Sequence, residues 1–292
     1  MQSKIEDVIR PIIKWAGGKR QLLPALEARL PERWDTYYEP FVGGGALLTD
    51  LFNHRKITHA VISDLNKELI NLYFVIKTRP SKLIDALADE SLHSTEESFN
   101  TLRLEFNQLV NLEKNKIRRA ALFIFLNKHG YNGLWRVNST GGYNVPFGHC
   151  SRKNLPSTDA ILQFSRILAK VTIKSTDFMV TVRSAHKNDF VYFDPPYYPV
   201  SKTASFTDYH QNGFGFEEQK RLARTFKRLS DRGVHVMLSN SKAPEIETLY
   251  KDFTIATVPA KRMINCNGEG RHGAFEIIVT NYEPSNGNLK FL

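Results

Sequence analysis

Val191-Tyr192-Phe193-Asp194-Pro195-Pro196-Tyr197 carries an apolar, β-rich run into a carboxylate, two consecutive prolines and an aromatic ring. Each proline lacks the ladder N–H and restricts the residue before it, so the run cannot continue as a central strand. Asp194 therefore stands at a strand tip, where its Oδ and the Pro195 carbonyl offer two fixed acceptors beside the Tyr197 ring. Such a set suits gripping both hydrogens of a planar amine while stacking its heterocycle. Asp194, Pro195, Pro196 and Tyr197 are the candidate catalytic residues, although a strand ending in a tight turn over a buried tyrosine would read the same.

Similar apolar runs recur outward from this one, at 37–42, 60–62, 171–174, 190–193, 234–238, 253–258 and 275–279, with helical stretches between them. That alternation predicts an α/β fold with a doubly wound, mostly parallel seven-stranded sheet, whose ligands bind beyond the carboxyl ends of the strands. Between about 80 and 158 it gives way to two helical stretches and a Gly- and Asn-rich loop at 130–148. The expected organisation is one domain from 1–79 and 159–292, with 80–158 inserted as a second. A polar stretch at 201–212, with Phe206, Tyr209 and then Phe214, reads as a flap or as a solvated loop with buried anchors. Residues 283–292 read as a loosely held tail.

At 292 residues with 41% hydrophobic composition, the chain can bury a full core. Its longest wholly apolar run, 120–126, is far short of a bilayer span, and Lys4, Glu6, Asp7 and Arg10 precede any apolar stretch. These features predict a cytoplasmic protein with no membrane partner. Cys150 and Cys266 fit neither a zinc spacing nor a disulfide framework, so two free thiols and no metal are expected. A net charge of +10 predicts attraction to polyanions, and Lys114, Lys116, Arg118, Arg119, Lys128, Arg136, Arg152 and Lys153 concentrate it in the middle of the chain.

Glu39-Pro40-Phe41-Val42-Gly43-Gly44-Gly45-Ala46-Leu47 follows the first expected strand and opens a helical stretch, where glycines let the backbone turn sharply against a ligand. Ala60-Val61-Ile62-Ser63-Asp64 then ends in an acid about 20 residues on, the spacing at which a carboxylate takes ribose hydroxyls. No third glycine completes a pyrophosphate fingerprint, so a nucleoside without a diphosphate fits better than a dinucleotide.

Lys14-Trp15-Ala16-Gly17-Gly18-Lys19, the 39–47 segment and Asp194-Pro195-Pro196-Tyr197 occur in the order characteristic of the DNA adenine N6-methyltransferases of the Dam type. Leu126-Asn127-Lys128-His129-Gly130-Tyr131-Asn132-Gly133-Leu134 and Asn144-Val145-Pro146-Phe147-Gly148 extend the resemblance over nearly the whole chain. It implies S-adenosyl-L-methionine as methyl donor, with Trp15 and Lys19 near it, Phe41, Gly43 and Gly45 beneath it and Asp64 on its ribose. Asp177 and Phe178, with Asp194, would complete that set, although Asp177 also reads as a helix cap.

Adenine N6 is a poor nucleophile because its lone pair is delocalised into the ring. Clamping both hydrogens on Asp194 and Pro195 would aim that lone pair at an electrophilic methyl, and the base would have to be flipped out of the duplex. Tyr197 would stack on it, with Tyr198 in reserve, and Ser239-Asn240-Ser241 would line the same crevice.

The stretch Tyr131-Asn132-Gly133-Leu134-Trp135-Arg136 combines a wedge, an amide, a hinge, an apolar tip and a guanidinium. By resemblance, Tyr131 would stack beside the site and Asn132 would fill the space left by adenine. Leu134 and Pro146 would meet thymine, Arg136 and Lys14 would read guanine, and the target would be GATC in double-stranded DNA. Asn138, with Lys114, Arg118, Arg119 and Arg152, is expected on phosphates from charge and polarity alone. Trp135 is bulkier than that pattern anticipates. A monomeric DNA adenine methyltransferase, solitary or paired with a restriction nuclease, is the reading reached. A non-catalytic α/β DNA-binding module and a cytosine N4-methyltransferase are its rivals.

Overall fold

The computed structural model describes residues 8–15, 17, 19–149, 155–199, 214–259 and 275–284. The stretch expected as a flap over 201–212, both cysteines, Arg152, Lys153 and residues 285–292 of the expected tail lie outside the described residues. Strands β1 Tyr37–Glu39, β2 Ala60–Ser63, β3 Val171–Lys174, β4 Phe190–Phe193, β5 His235–Ser241, β6 Thr254–Pro259 and β7 Phe275–Thr280 form a seven-stranded sheet ordered β3-β2-β1-β4-β5-β7-β6. Each expected run is a strand and the class is mixed α/β. The first strand stops at Glu39 rather than 42, because Pro40 brings no N–H to the ladder.

β1 pairs in parallel with β2 and β4, and β4 with β5, whereas β7 lies antiparallel to both β5 and β6. The helices are α1 Leu23–Glu27, α2 Ala46–Asn53, α3 Lys67–Thr78, α4 Pro80–Leu87, α5 Glu96–Asn111, α6 Lys116–His129, α7 Thr158–Ala169, α8 Phe178–Thr181, α9 Phe216–Asp231 and α10 Pro244–Leu249. Residues 80–158 thus carry three helices before the loop instead of the two expected. Pro80 opens the extra one, its fixed φ being preset for a first helical turn where no N–H is needed.

Two compact units emerge, Met1–Gly18 with Val42–Thr58 and Asp64–Ser175, and Lys19–Phe41 with His59–Ser63 and Thr176–Leu292. The segment expected as an insertion, 80–158, falls inside the first unit. That unit is built on α6, whose residues 120–126 are all fully buried together with Phe99, Leu102 and Phe106 of α5 and Leu72 and Ile76 of α3. In the second, Val191, Phe193, Val236, Leu238, Ile277 and Val279 pack with Leu222, Phe226 and Leu229, a stripe at helical spacing on α9. No helix among the described residues is long and apolar enough to cross a membrane.

Candidate active site

In the second unit, β1 and β4 run side by side, Tyr37 opposite Phe190 and Tyr38 opposite Val191, and the strand order reverses between them. A parallel sheet opens a crevice for ligands at the carboxyl ends of such a pair. β4 delivers Asp194 there, with Pro195 buried and Pro196 exposed. The Pro196 carbonyl accepts from Gln219 Nε2 at 2.9 Å, which fixes the turn.

Asp194 Oδ1 accepts from Lys19 Nζ at 2.9 Å and from Ser239 Oγ at 3.0 Å. Oδ2 has no hydrogen bond among the described residues. The Lys19 ammonium also lies 4.3 Å from the centroid of the Tyr197 ring, whose hydroxyl donates to Glu276 Oε2 at 2.9 Å. Ser239 Oγ shares a hydrogen bond with the Tyr192 hydroxyl at 2.8 Å, and Asn240 Oδ1 accepts from the Tyr198 N–H at 3.1 Å. The polar tip of β5 therefore lines the Asp194 turn. Tyr198 packs against the apolar core, the alternative to stacking.

Burial raises the Asp194 carboxyl above its ordinary range, while the Lys19 charge and the hydrogen bonds from Lys19 and Ser239 pull it back. The Tyr192 and Tyr197 phenols are pushed well above their usual range by burial and then by the Asp194 charge, so both stay protonated as donors. The result is a carboxylate held by one oxygen beside an aromatic face.

Phe41, expected beneath the donor, packs against Phe178 at 5.4 Å, Phe214 at 5.5 Å and Phe193 at 6.3 Å between ring centroids. Phe178 and Phe214 are both buried in the core. Asp177 caps α8 by accepting from the Met179 N–H at 2.9 Å, the alternative weighed for it, and also pairs with Arg221 at 2.5 Å. The Arg221 guanidinium covers the Phe178 ring at 4.5 Å.

In the first unit, Gly43 and Gly45 hold φ of +46° and +69° in the turn that opens α2. A Cβ on Gly43 would lie 2.6 Å from Trp15 Cδ1, so the indole lies directly on the loop. The Gly43 N–H donates to Asp64 Oδ2 at 3.2 Å, and the Gly43 carbonyl accepts from the Tyr73 hydroxyl at 2.6 Å. Asp64 Oδ1 accepts from the Asn66 N–H at 2.9 Å, and burial raises this carboxyl above its ordinary range.

The same unit carries the hairpin. Gly130 and Phe147 form an antiparallel bridge, as do Val137 and Tyr143, and the Tyr131 N–H donates to the Pro146 carbonyl at 2.9 Å. Lys14, Tyr131, Asn132, Arg136, Asn138 and Pro146 are exposed, and Leu134 is partly so. Asn132 takes φ +54°, the left-handed region that asparagine tolerates better than most residues. Arg136 is oriented by Asn144, with Nε on Oδ1 at 2.8 Å and Nη2 on the carbonyl at 3.2 Å. Asn138 turns its Oδ1 inward to the N–H groups of Thr140 and Gly142, shaping the loop tip.

Two expectations from charge are overturned. Arg118 is clamped by Glu105 at 2.7 Å and Asp89 at 3.1 Å, and Arg119 is buried with Glu68, its Nε 2.9 Å from Oε2. The Arg119 guanidinium is buried on its carboxylate, and that of Arg118 is engaged by two carboxylates at the surface, so both are already paired. Conversely, sequence reasoning missed Glu276, Gln219, the Lys19–Asp194 pair and Asn127. Asn127 accepts from the Lys14 N–H at 2.9 Å and donates to the Lys14 and Gly133 carbonyls at 2.7 and 3.0 Å. A signal for Asn127 existed, an amide ending the apolar run of α6, but its Lys14 partner lies 113 positions off in sequence.

Residues 15–264 match the family described as D12 class N6 adenine-specific DNA methyltransferase. Among curated proteins, the chain is 42% identical to a type II methyltransferase, M1.LlaDCHI, of Lactococcus lactis subsp. cremoris, over 94% of this chain and 96% of that one. It is 40% identical to the type II methyltransferase M.MjaIII of Methanocaldococcus jannaschii, over 94% and 99%. It is 32% identical to the DNA adenine methylase of Escherichia coli strain K12, over 94% and 96%.

Proposed function

This chain belongs to the D12 class of N6 adenine-specific DNA methyltransferases, and from that premise we propose that its methyl donor is S-adenosyl-L-methionine and its target the adenine of GATC in double-stranded DNA. The observation that carries the reading is Asp194, with Oδ1 secured by Lys19 and Ser239, Oδ2 without a hydrogen bond among the described residues, and the same Lys19 ammonium lying over the Tyr197 ring. Lys19 donates to the carboxylate and covers the ring, the two contacts an adenine amino group and its heterocycle would make in its stead.

The donor supplies a sulfonium methyl. The residues present fit such a group: backbone N–H groups, those of Gly43 and Asn66 among them, hold the Asp64 carboxylate, and a carboxylate's roughly four acceptor positions leave room beside them for a ribose hydroxyl. Trp15 and Gly43 to Gly45 would pack on its apolar parts, and Lys19, Phe41, Asp177 and Phe178 are assigned to the donor by the family resemblance alone.

When the target base enters, Asp194 Oδ2 and the Pro195 carbonyl accept its two N6 hydrogens, and Tyr197 holds the ring by stacking while its hydroxyl stays on Glu276. Asp194 takes up the N6 proton once positive charge develops on nitrogen, which requires it ionised beforehand. Lys14, Tyr131, Asn132, Leu134, Arg136 and Pro146 would read the site and Asn138 the backbone, making 80–158 together with the Lys14 segment the recognition portion of a monomer.

Transfer of labelled methyl to duplexes carrying GATC or a scrambled site, followed by mass analysis of the nucleosides, tests this. N6-methyladenine on the GATC duplex alone is expected. Equal labelling of both duplexes refutes the specificity, and N4-methylcytosine refutes the substrate.

A further inference from the structure

Trp135 is not accounted for by base readout, since its ring turns inward. It stacks on Phe123 at 4.4 Å and 26°, faces Tyr143 at 5.1 Å and meets Phe106 edge-on at 6.0 Å. Phe123 is fully buried at the centre of α6 and cannot shift without opening the core. Trp15 stacks against the same anchor at 6.3 Å and 17°, and lies 6.4 Å from Trp135 at 20°. Both indoles are therefore seated on one immobile ring, and a change in the seat of either alters the packing of the other.

The far ends of this stack are the two loops with separate tasks. Trp15 rests on Gly43 and Gly44, where added Cβ atoms would lie 2.6 and 3.2 Å from it. Trp135 sits between Leu134 and Arg136, and the Tyr143 hydroxyl it packs against donates to the Leu134 carbonyl at 3.3 Å. The Asn127 side chain ties the backbone of Lys14, next to Trp15, to Gly133 of the hairpin. A built Cβ on Gly133 would fall 2.8 Å from the Lys14 side chain, so the two segments are in close contact.

Resting on the donor and DNA roles given above, we propose that Trp135 is a positioning residue that couples occupancy of the glycine loop to the seating of the hairpin, so that donor and DNA each tighten the binding of the other. Such coupling is reciprocal, and allosteric pairs of this kind commonly differ by about 5- to 150-fold. The device is absent from base contacts and from the Asp194 turn, and it requires a large ring at this position.

The test measures affinity for a GATC duplex by fluorescence anisotropy with and without S-adenosylhomocysteine, and affinity for that compound alone by calorimetry. Wild type should bind the duplex about tenfold more tightly with the compound present. Trp135→Leu should reduce that factor to below about twofold while its affinity for the compound alone stays within about threefold, and Trp135→Phe, which keeps a ring on Phe123, should retain most of the factor. A preserved factor in Trp135→Leu, or losses in both single affinities with their ratio unchanged, overturns the proposal.

Near-UV circular dichroism supplies a second readout that does not need the leucine variant to fold. The wild-type signal of the near-parallel indole pair should change on adding either ligand, and absence of change with both overturns the coupling. Wild type that binds neither S-adenosylhomocysteine nor duplex refutes the functional reading itself, a result distinct from binding both without mutual effect.

Discussion

Replacing Lys19 by methionine removes the ammonium 2.9 Å from Asp194 Oδ1 and keeps most of the aliphatic stem. At that separation, with an effective dielectric of about 20, the gross attraction between unit charges is about 6 kcal/mol. Much of it offsets the cost of burying both ions, so the net effect on the carboxyl is smaller, and its direction is downward, as for any carboxylate beside a cation. Burial already raises Asp194, and Lys19 is the larger of the opposing influences, so its loss moves the carboxyl further up.

The sign for activity follows directly. Methyl transfer needs the ionised carboxylate, so the rate falls as pH drops through the Asp194 pKa, and Lys19→Met shifts that acid limb to higher pH. Single-turnover labelling of a GATC duplex across pH supplies the profile. The shift should appear in kcat/KM, which reports the free enzyme, and be smaller in kcat if the base displaces the ammonium. Lys19→Arg should restore the wild-type limb in part. A Lys19→Met variant whose activity drops by one factor at every pH would refute the reasoning and place Lys19 on another task.

Asp194→Asn keeps the shape but makes one of the two side-chain acceptors a donor, and should lower methyl transfer by about 100- to 10,000-fold with duplex affinity little changed, as filter binding and labelling together would establish. Gly43→Ala places a Cβ 2.6 Å from Trp15 at a φ of +46°, and should cost about 1–3 kcal/mol of stability with weakened donor binding, read by thermal melting and calorimetry. Arg119→Ala leaves Glu68 buried without its cation and should destabilise by about 3–5 kcal/mol in urea without altering the salt dependence of DNA binding. Arg136→Ala should relax discrimination at one base pair by about 1–3 kcal/mol in competition assays with single-substitution duplexes.

Sequence by itself determined the features written in local chemistry. Consecutive prolines end β4 and leave Asp194 at its tip, glycines with positive φ open the turn before α2, and period-specific apolar runs mark seven strands. Each is fixed by covalent restriction or by neighbours a few residues away, so it survives in a one-dimensional reading. Tertiary structure alone decided what depends on chain return: Lys19 on Asp194, 175 positions apart in the numbering, Glu276 on Tyr197, and β7 placed antiparallel to β5 and β6. The same holds for the middle arginines, where Arg118 and Arg119 looked alike as surface charge until Glu105, Asp89 and Glu68 claimed them. A charge declares its sign in the sequence, but its partner is chosen by which carboxylate the packed helices bring within reach, and the low dielectric of the interior then enforces that choice.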